Sequence, residues 1–295
     1  MRFVAPGRTA IEPIVFARPP LSLWAEFFDL LCGPEWPSVG ALNERAAIAC
    51  ESVPGRDAGA SGDIAGGMQP RFVVQSAELL RDGLHYEQRI ADRNRIATRE
   101  CNWHDLLNAL VWLRFPALKS ALNARQVAEI AVAGPKQRTL AQCALTHFDE
   151  AGVIVIVRDP ALLVAWDAHD WHGLFWRERA AWWDGRIEAI VFGHALLEHA
   201  LKAEQLLVGK AVAVAMRQSG ETQDATWDGR SVPAAVASAL RSSRLLLDPQ
   251  ELRPLPLSGI PGWHPANRVE SFYRDAPCFR PLRSGRCYPA PLPPA

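Results

Sequence analysis

The sequence predicts an α+β fold in a single domain, with mixed helices and a small, mostly antiparallel sheet. Of the 295 residues, 49% are hydrophobic, and eleven tryptophans and eleven phenylalanines supply bulky side chains for a sizeable core. Segments with helical spacing and segments with strand-like runs both occur along the chain. They do not alternate regularly, as they would in a doubly wound parallel sheet, so the α+β class is favoured.

Composition and periodicity divide the chain into three parts. Residues 1–20 are interpreted as an N-terminal extension, residues 21–250 as the α+β domain, and residues 251–295 as a proline-rich tail draped over it in extended form. Within the domain, residues 55–70 include five glycines in sixteen positions, which predicts a flexible loop.

Helices are predicted where apolar residues recur every three or four positions. Two short ones cover residues 21–31 and 41–50. Two longer ones follow Asn102 and are separated at Phe115-Pro116, because proline fits the first turn of a new helix and ends the old one. The remaining helical segments are residues 171–183, 193–202 and 231–240.

Strands are predicted from runs of β-branched and aromatic residues that are bounded by turn signals. Two of them, at residues 71–75 and 85–90, flank a short connection that contains Asp82-Gly83. A hairpin is predicted over residues 140–159, with its turn at 149–152. Further strands are predicted at residues 186–193 and 206–216.

Charge and cysteine usage narrow the classes of function. Lys+Arg and Asp+Glu are both 32, and a formally neutral chain has no overall field to attract a polyanion. A nucleic-acid partner is therefore disfavoured but stays open, because four arginines could form a local basic ridge: Arg89, Arg93, Arg95 and Arg99. No stretch approaches the roughly 20 apolar residues that span a bilayer, which predicts no membrane association. Six scattered cysteines without a CxxC pair are typical of free thiols and indicate a cytoplasmic protein.

The helix that opens at Asn102 carries the most informative polar side chains. His104, Asp105 and Asn108 lie away from its apolar line, and together they are more typical of a shaped polar surface than of a solvent face. His104 could act as a base or a ligand near neutral pH. Capping offers a structural alternative, because Asn102 suits the N-cap and Asp105 lies where the acid of a capping box would lie. Capping is favoured for Asn102 and Asp105, whereas it explains nothing about His104.

The second candidate region is the helix that follows Gly193. His194 and Glu198 are four residues apart on one helix face, a spacing that lets both reach a single metal ion or proton. Glu198 and Lys202 also form an ordinary i, i+4 surface pair, which is the favoured interpretation.

A third candidate is the pair of adjacent carboxylates Asp149 and Glu150, which could hold a divalent cation. Aspartate is also a common turn residue, and adjacent residues in extended geometry point apart, so a turn is favoured. The chain has no dinucleotide fingerprint, phosphate-binding loop, nucleophile elbow or HExxH motif.

Several segments carry a family resemblance that covers roughly residues 40–280. They are TRECNWHDLLNALVWLRFPALKSALN, FDEAGVIV, VFGHALLEHAL and LPLSGIPGWHPAN, of which NWHDLLNAL and FGHALLEH are the specific parts. Together they resemble the bacterial family catalogued as domain of unknown function 3025. The resemblance implies no activity, cofactor or catalytic residue, so the cofactor and the partner of this chain stay unknown.

Two hypotheses about function stay open. The first is an enzyme of the metal-assisted hydrolase type, with no metal-ligand set assigned. Its catalytic residues would be His104, Asp105, His194 and Glu198, and its binding residues Arg99, Asn102 and Asn108. It requires His104 and His194 to lie within about 12 Å of each other, since a larger gap excludes a shared metal or proton relay. The second is a non-catalytic protein- or ligand-binding module that uses an exposed aromatic surface at residues 163–183 and the proline-rich tail.

Overall fold

The computed structural model describes residues 3–51, 70–134, 137–216 and 231–293. These residues form an α+β fold, which confirms the fold class that the sequence predicts. The predicted flexible loop at residues 55–70 lies outside them, apart from Pro70. None of the described helices is both long and apolar enough to cross a bilayer.

The N-terminal part of the chain is helical. Helix α1 (Phe28–Leu31) follows a 3-10 segment at Leu21–Phe27, in which Trp24 has non-helical backbone angles and is 1% exposed. The helix predicted over residues 21–31 is thus interrupted at a buried tryptophan. Helix α2 (Val39–Glu51) confirms the helix predicted at residues 41–50.

A small parallel sheet follows, formed by β1 (Arg71–Val74) and β2 (Arg95–Thr98) with α3 (Tyr86–Arg93) between them. The strand predicted at residues 85–90 is therefore wrong. Tyr86 and Ile90 are four residues apart, a spacing that suits one face of a helix as well as alternate positions of a strand. The helix ends at Asn94, whose φ of 50° is the left-handed conformation that commonly closes a helix.

Two longer helices, α4 (Trp103–Arg114) and α5 (Pro116–Ala133), lie where the sequence predicts them. They are separated at Phe115, whose φ of −127° and ψ of 53° are not helical, and Pro116 opens the second helix. Along α4 the residues from Ala109 to Leu113 are all buried, so this helix crosses the interior.

The hairpin predicted at residues 140–159 is wrong, because its first half is helix α6 (Leu140–Ala151). A complete capping box opens this helix: the Thr139 side chain accepts from the Gln142 amide, and the Gln142 side chain accepts from the Thr139 amide. Ala141, Ala144, Leu145 and Phe148 are buried at helical spacing. Asp149 and Glu150 consequently lie in the last turn of a helix and not at the tip of a hairpin.

The central sheet is mixed, with strand order β4-β3-β5-β6. Its strands are β3 (Gly152–Val157), β4 (Ile187–Val191), β5 (Val208–Ala215) and β6 (Arg253–Pro256). Strand β3 pairs antiparallel with β4 and parallel with β5, and β5 pairs antiparallel with β6. All six residues of β3 are buried, as expected for a central strand that is covered on both faces.

The remaining helices are α7 (Pro160–Asp167), α8 (His194–His199), α9 (Ser231–Arg241) and α10 (Ser271–Asp275). Helix α8 packs against both α4 and α6. This packing brings together the two helices that the sequence singles out and adds the end of α6 to them.

The aromatic segment at residues 163–183 is mostly internal. Trp166 and Trp171 are 0% and 5% exposed, and the Trp166 indole donates to the Pro254 carbonyl at 2.8 Å. Trp182 packs against the core, and of the described tryptophans in this segment Trp183 is the one that is largely exposed, at 66%. A broad exposed aromatic surface of the kind the second hypothesis needs is therefore not present in this segment.

The proline-rich C-terminal segment contributes to the core as well as covering it. Residues 253–256 form the edge strand β6, and Arg253 is 3% exposed, in an ion pair with Asp167 at 2.6 Å. Leu255 and Leu257 are fully buried, each contributing about 2 kcal/mol by removal of apolar surface from water.

Candidate active site

Helices α4, α6 and α8 meet beside a cavity of about 490 Å³. We call it the paired-histidine cavity, because His104 from α4 and His194 from α8 both line it. Their Nε2 atoms are 3.0 Å apart, far inside the 12 Å limit that the first hypothesis requires. The geometric condition for a shared proton relay is met.

Two local features of the chain place these histidines. Asn102 caps α4, since its Oδ1 accepts from the Asp105 amide at 3.0 Å, and this fixes His104 in the first turn. Gly193 precedes α8 and donates its amide to the Gly152 carbonyl at 2.8 Å. A Cβ on Gly193 would lie 2.5 Å from backbone atoms of Glu150 and Ala151, so only glycine allows this close approach.

The two imidazoles form a chain with Glu198. His104 Nδ1 is 2.9 Å from Glu198 Oε2, and its Nε2 faces His194 Nε2, with the two rings at 80° to each other. The His104 side chain is 35% exposed, whereas that of His194 is 6% exposed. Both histidines line the cavity, and His104 is the one of the two that also reaches solvent.

The environment shifts the pKa values of the two histidines in opposite directions. The hydrogen bond to Glu198 raises the pKa of His104, against the opposing effect of its partial burial. Burial lowers the pKa of His194 to about 4, despite the attraction of Asp149. Near neutral pH, His194 is thus neutral, and His104 is the member of the pair that gains and loses a proton.

The hydrogen-bond pattern allows either protonation state without breaking a bond. When His104 is an imidazolium, its Nδ1–H donates to Glu198 and its Nε2–H donates to His194 Nε2. When His104 is neutral, it keeps the Nδ1 proton for Glu198, and His194 donates Nε2–H to it instead. In the first state His194 carries its own proton on Nδ1, the nitrogen that faces Asp149. Between the two states the shared proton moves from His104 Nε2 to His194 Nε2, and the proton on His194 Nδ1 leaves the pair. The pair is therefore built to store and release one proton.

Behind the pair lies a chain of hydrogen-bonded polar side chains from helices α3, α4, α5 and α6. Lys119 Nζ donates to Asp149 Oδ1 at 2.6 Å and to Asn108 Oδ1 at 2.9 Å, and Asn108 donates to the Tyr86 hydroxyl at 2.8 Å. Burial alone would raise the pKa of the Asp149 carboxyl, but the Lys119 ammonium together with the two histidines outweighs it, and the pKa lies below its ordinary value. Burial raises the pKa of the Tyr86 hydroxyl, so it stays protonated.

Asp149 also connects this chain to the histidines. Its Oδ2 is 3.9 Å from His194 Nδ1, a nitrogen that has no hydrogen-bond partner of regular geometry among the described residues. At that distance the carboxylate acts on the imidazole through its charge more than through a direct hydrogen bond. A proton on His194 Nδ1 would face this carboxylate.

Glu87 supplies a second titratable group to the cavity wall. Its Oε2 accepts from Asn123 Nδ2 at 2.6 Å. Burial raises the pKa of the Glu87 carboxyl, and the nearby charge of Asp149 raises it further. Glu87 therefore holds a proton more readily than an ordinary glutamate does.

Arg99 and Asp105 form a tight pair at the rim. The Asp105 carboxylate accepts from the Arg99 amide at 2.6 Å and from its guanidinium at 2.7 and 3.0 Å. The predicted capping box is consequently only half formed: Asn102 caps the helix, but the Asp105 carboxylate binds Arg99 and not the N-cap amide. Asp105 orients Arg99, whose exposed guanidinium is available to an anionic group in the cavity.

The donor set offers two nitrogens to a metal ion. Within the described residues, no group of three or more His, Cys, Asp or Glu side chains is placed to hold one. The Nε2 atoms of His104 and His194 face each other, but catalytic zinc sites use three protein ligands. Protein ligands for a metal-assisted reaction are therefore incomplete, whereas an acid–base reaction needs no further group.

The structure thus gathers most of the residues that the sequence singled out. His104, Asp105, Asn108, His194 and Arg99 all line the paired-histidine cavity, Glu198 binds His104, and Asn102 is a cap. Sequence reasoning missed Lys119, Tyr86 and Glu87, and it set Asp149 aside as a turn residue. A signal for Asp149 was available in the T-x-x-Q capping box at residues 139–142, which indicates a helix running into residue 149.

Fold and site together define an α+β protein with a polar, titratable cavity at the junction of three helices. The family model for DUF3025, proteins of unknown function, matches residues 70–283, which include every residue that lines the cavity. The chain therefore belongs to this family, and the resemblance seen in the sequence is confirmed. Comparisons with curated proteins and with solved structures give no match.

Proposed function

We propose that this protein is an enzyme that hydrolyses a small polar substrate by acid–base catalysis, with His104 as the residue that exchanges the proton. The observation that carries the proposal is the chain Glu198–His104–His194, which opens into a 490 Å³ cavity. A carboxylate that binds one imidazole nitrogen while the other faces a reacting group is the usual arrangement of a catalytic histidine. A cavity of this size suits a small molecule.

The roles of the surrounding residues follow from their contacts. Glu198 orients His104 and raises its basicity, and His194 holds the shared proton between turnovers. A water molecule or substrate group reaches His104 Nε2 when it replaces His194 as the partner of that nitrogen. In the neutral state His104 takes a proton from the attacking water, and as an imidazolium it returns the proton to the leaving group.

Substrate binding falls to the polar wall of the cavity. Arg99 supplies a guanidinium held by Asp105, which suits a carboxylate or phosphate on the substrate. Asn108 has its amide engaged by Tyr86 and Lys119, so it stiffens the wall rather than contacting the ligand directly. Glu87, which holds a proton readily, is a candidate for the acid that protonates a leaving group.

The metal-assisted form of the hydrolase remains within the same proposal. Its ligands would be the two Nε2 atoms, with further positions filled by substrate or water. Metal analysis of the purified protein and of the His194→Gln variant separates the two forms. Stoichiometric zinc or another divalent ion that is lost in the variant favours the metal form, and metal-free protein with full activity favours acid–base catalysis.

The free cysteines support a cytoplasmic location in a bacterial cell as part of this proposal. All five cysteines whose side chains are described are unpaired, as expected in a reducing compartment. Fractionation of cells that express the protein tests the location, and recovery in the soluble cytoplasmic fraction is the expected result.

A panel of chromogenic p-nitrophenyl esters, phosphates and glycosides tests the activity. We expect the protein to hydrolyse at least one class, and His104→Gln to lower kcat by about 10²–10⁴-fold, the usual contribution of general acid–base catalysis. His147→Gln is the matched control, because His147 is exposed on α6 and does not line the cavity. Equal activity of the His104→Gln variant and the unmodified protein would contradict the proposal.

A further inference from the structure

A second cleft, of about 940 Å³, lies between the C-terminal segment and strands β5 and β6. It shares no lining residue with the paired-histidine cavity. We call it the basic cleft, because Lys210, Arg280, Arg283 and Arg286 line it. None of the described residues in its lining is an aspartate or a glutamate, although the chain as a whole has equal numbers of acidic and basic residues.

Three of these cations have no partner within the described residues. Lys210, Arg280 and Arg283 form neither an ion pair nor a side-chain hydrogen bond there. Partial burial lowers the pKa of the Lys210 ammonium, and the positive charges of Arg286 and Arg283 lower it further. Like charges held close together in one cleft are unfavourable unless an anion offsets them.

A fixed turn holds two of the arginines. The Arg286 amide donates to the Arg283 carbonyl at 3.1 Å, and Gly285 has a φ of 74°, a conformation that glycine adopts at little cost. The Arg286 guanidinium donates to the backbone carbonyl and the side chain of Gln250 and lies 4.7 Å from the Tyr288 ring. Among the described residues its charge meets carbonyl oxygens and no carboxylate.

Both ends of this turn are tied to the body of the protein. The Arg280 carbonyl accepts from the Trp171 indole at 2.7 Å, and the Tyr288 hydroxyl is 2.9 Å from His169 Nε2. The cations are therefore presented on a fixed scaffold, which lowers the entropy lost when a ligand binds. Apolar side chains complete the wall, among them Trp171, Val208 and Leu252.

We propose that the basic cleft binds a small organic phosphate, with Lys210, Arg280 and Arg283 around the phosphate and the apolar wall against the organic group. Guanidinium groups bind phosphate oxygens in pairs, and an ammonium adds a point charge. The volume is near the upper end for sites that hold one small molecule. A nucleic-acid strand fits less well, since it needs several exposed aromatic side chains for base stacking, and Trp171 is 5% exposed. The proposal does not depend on the function proposed for the histidines.

Calorimetric titration of the full chain with phenyl phosphate and with inorganic phosphate tests this proposal. We expect both to bind, and phenyl phosphate to bind several-fold more tightly because its ring buries apolar surface. Arg283→Gln and Lys210→Gln should each weaken binding about tenfold, as expected for a charge-assisted contact of about 1.4 kcal/mol. The matched control is Arg268→Gln, which removes an exposed arginine of the same segment that does not line the cleft.

Three results would overturn the proposal. Absence of heat with either phosphate at millimolar concentration is the first. The second is that Arg268→Gln weakens phosphate binding as much as Arg283→Gln and Lys210→Gln do, which would show that only the overall charge of the protein matters. The third is that a single-stranded oligonucleotide binds through the same residues more tightly than phenyl phosphate does, which would make a nucleic acid the partner. Thermal unfolding of Arg283→Gln checks that this variant is folded, which is expected because the Arg283 side chain is exposed and forms no ion pair or side-chain hydrogen bond with the described residues.

Discussion

His104 and His194 touch through their Nε2 atoms, yet one is partly exposed and the other is buried. The hydrogen bond to the Glu198 carboxylate raises the pKa of His104, whereas burial lowers the pKa of His194, so the two values move apart. Groups with separated pKa values can hold different protonation states at one pH, which acid–base catalysis requires.

The low pKa of His194 makes the stability of the protein depend on pH. The groups that face His194 are Asp149, Lys119 and His104. Burial, helped by the positive charges of Lys119 and His104, outweighs the attraction of Asp149 and lowers the pKa of His194 to about 4. The unfolded chain binds a proton near pH 6.5 and the folded chain does not, so stability is lost as the pH falls from about 6.5 towards 4.

Urea unfolding at pH 6.5 and pH 5 measures this loss. We expect the unmodified protein to lose about 2 kcal/mol over this interval from His194 alone, and His194→Gln to lose less by that amount. An equal loss in both proteins would show that His194 is not held in its neutral form by burial.

Because Lys119 and Asp149 form a buried ion pair, the effects of substituting them on the free energy of unfolding should not be additive. The Lys119 side chain is 4% exposed, so removing either charge leaves the other without its partner in the interior. We expect Lys119→Met and Asp149→Leu each to destabilise the protein by about 3 kcal/mol, and the double variant to cost clearly less than the sum. Chemical denaturation of the four proteins measures this, and simple additivity would contradict the coupling.

At the scale of elements, the site depends on the corner between β4 and α8. Gly193 passes so close to residues 150–152 that a Cβ there meets backbone atoms at 2.5 Å, and backbone cannot move away as a flexible side chain can. This contact sets the distance between His194 and the end of α6.

Gly193→Ala therefore should destabilise the protein by about 2 kcal/mol or more. Gly40→Ala is the matched control, because Gly40 lies in α2 and a Cβ there meets nothing closer than 3.4 Å. That control should be neutral or slightly stabilising, since alanine favours helix. Thermal unfolding compares the two, and a Gly193→Ala variant as stable as the control would refute the close approach.

Some helices and strands could be predicted from the sequence, and others could not. Helices α4 and α5, strand β5 and helix α9 follow from local periodicity and proline placement, and all were predicted. Residues 85–90 and 140–148 are predicted as strands because short apolar runs suit either structure, and only tertiary packing decides between them. His104 and His194 were predicted as polar outliers on two helices. Their contact depends on how α8 packs on α4, which local sequence does not contain.

The sequence does not predict that Lys119 and Asp149 form part of a buried hydrogen-bonded chain, for a related reason. Lys119 lies in a helix in which a single lysine is an ordinary surface residue, and its burial results from the packing of α3 and α6 on α5. Asp149 is predicted in a hairpin turn, because the sequence pattern of residues 140–159 suits a hairpin, whereas the residue lies in the last turn of α6. Errors in local structure therefore led directly to errors in the site.

For the whole molecule, the C-terminal segment is part of the fold. It supplies β6, the Arg253–Asp167 ion pair and the buried side chains of Leu255 and Leu257. Removal of residues 251–295 would expose the edge of β5 and a large apolar area.

A chain that ends at residue 250 should therefore fail to unfold cooperatively, whereas one that ends at residue 293 should match the full chain. Circular dichroism during heating tests both. A cooperative transition for the shorter chain, at the temperature of the full protein, would show that the segment is only a covering.

The central claim is that Glu198 makes His104 the proton-exchanging residue of the paired-histidine cavity. An NMR titration of the His104 ring protons, in the unmodified protein and in Glu198→Gln, tests it most directly, with the exposed Glu204→Gln as control. We predict that His104 titrates above 6.5 and that Glu198→Gln lowers its pKa, because the hydrogen bond to the Glu198 carboxylate is lost, while Glu204→Gln leaves it unchanged. A pKa at or below 6.5 that does not respond to Glu198→Gln would contradict the claim.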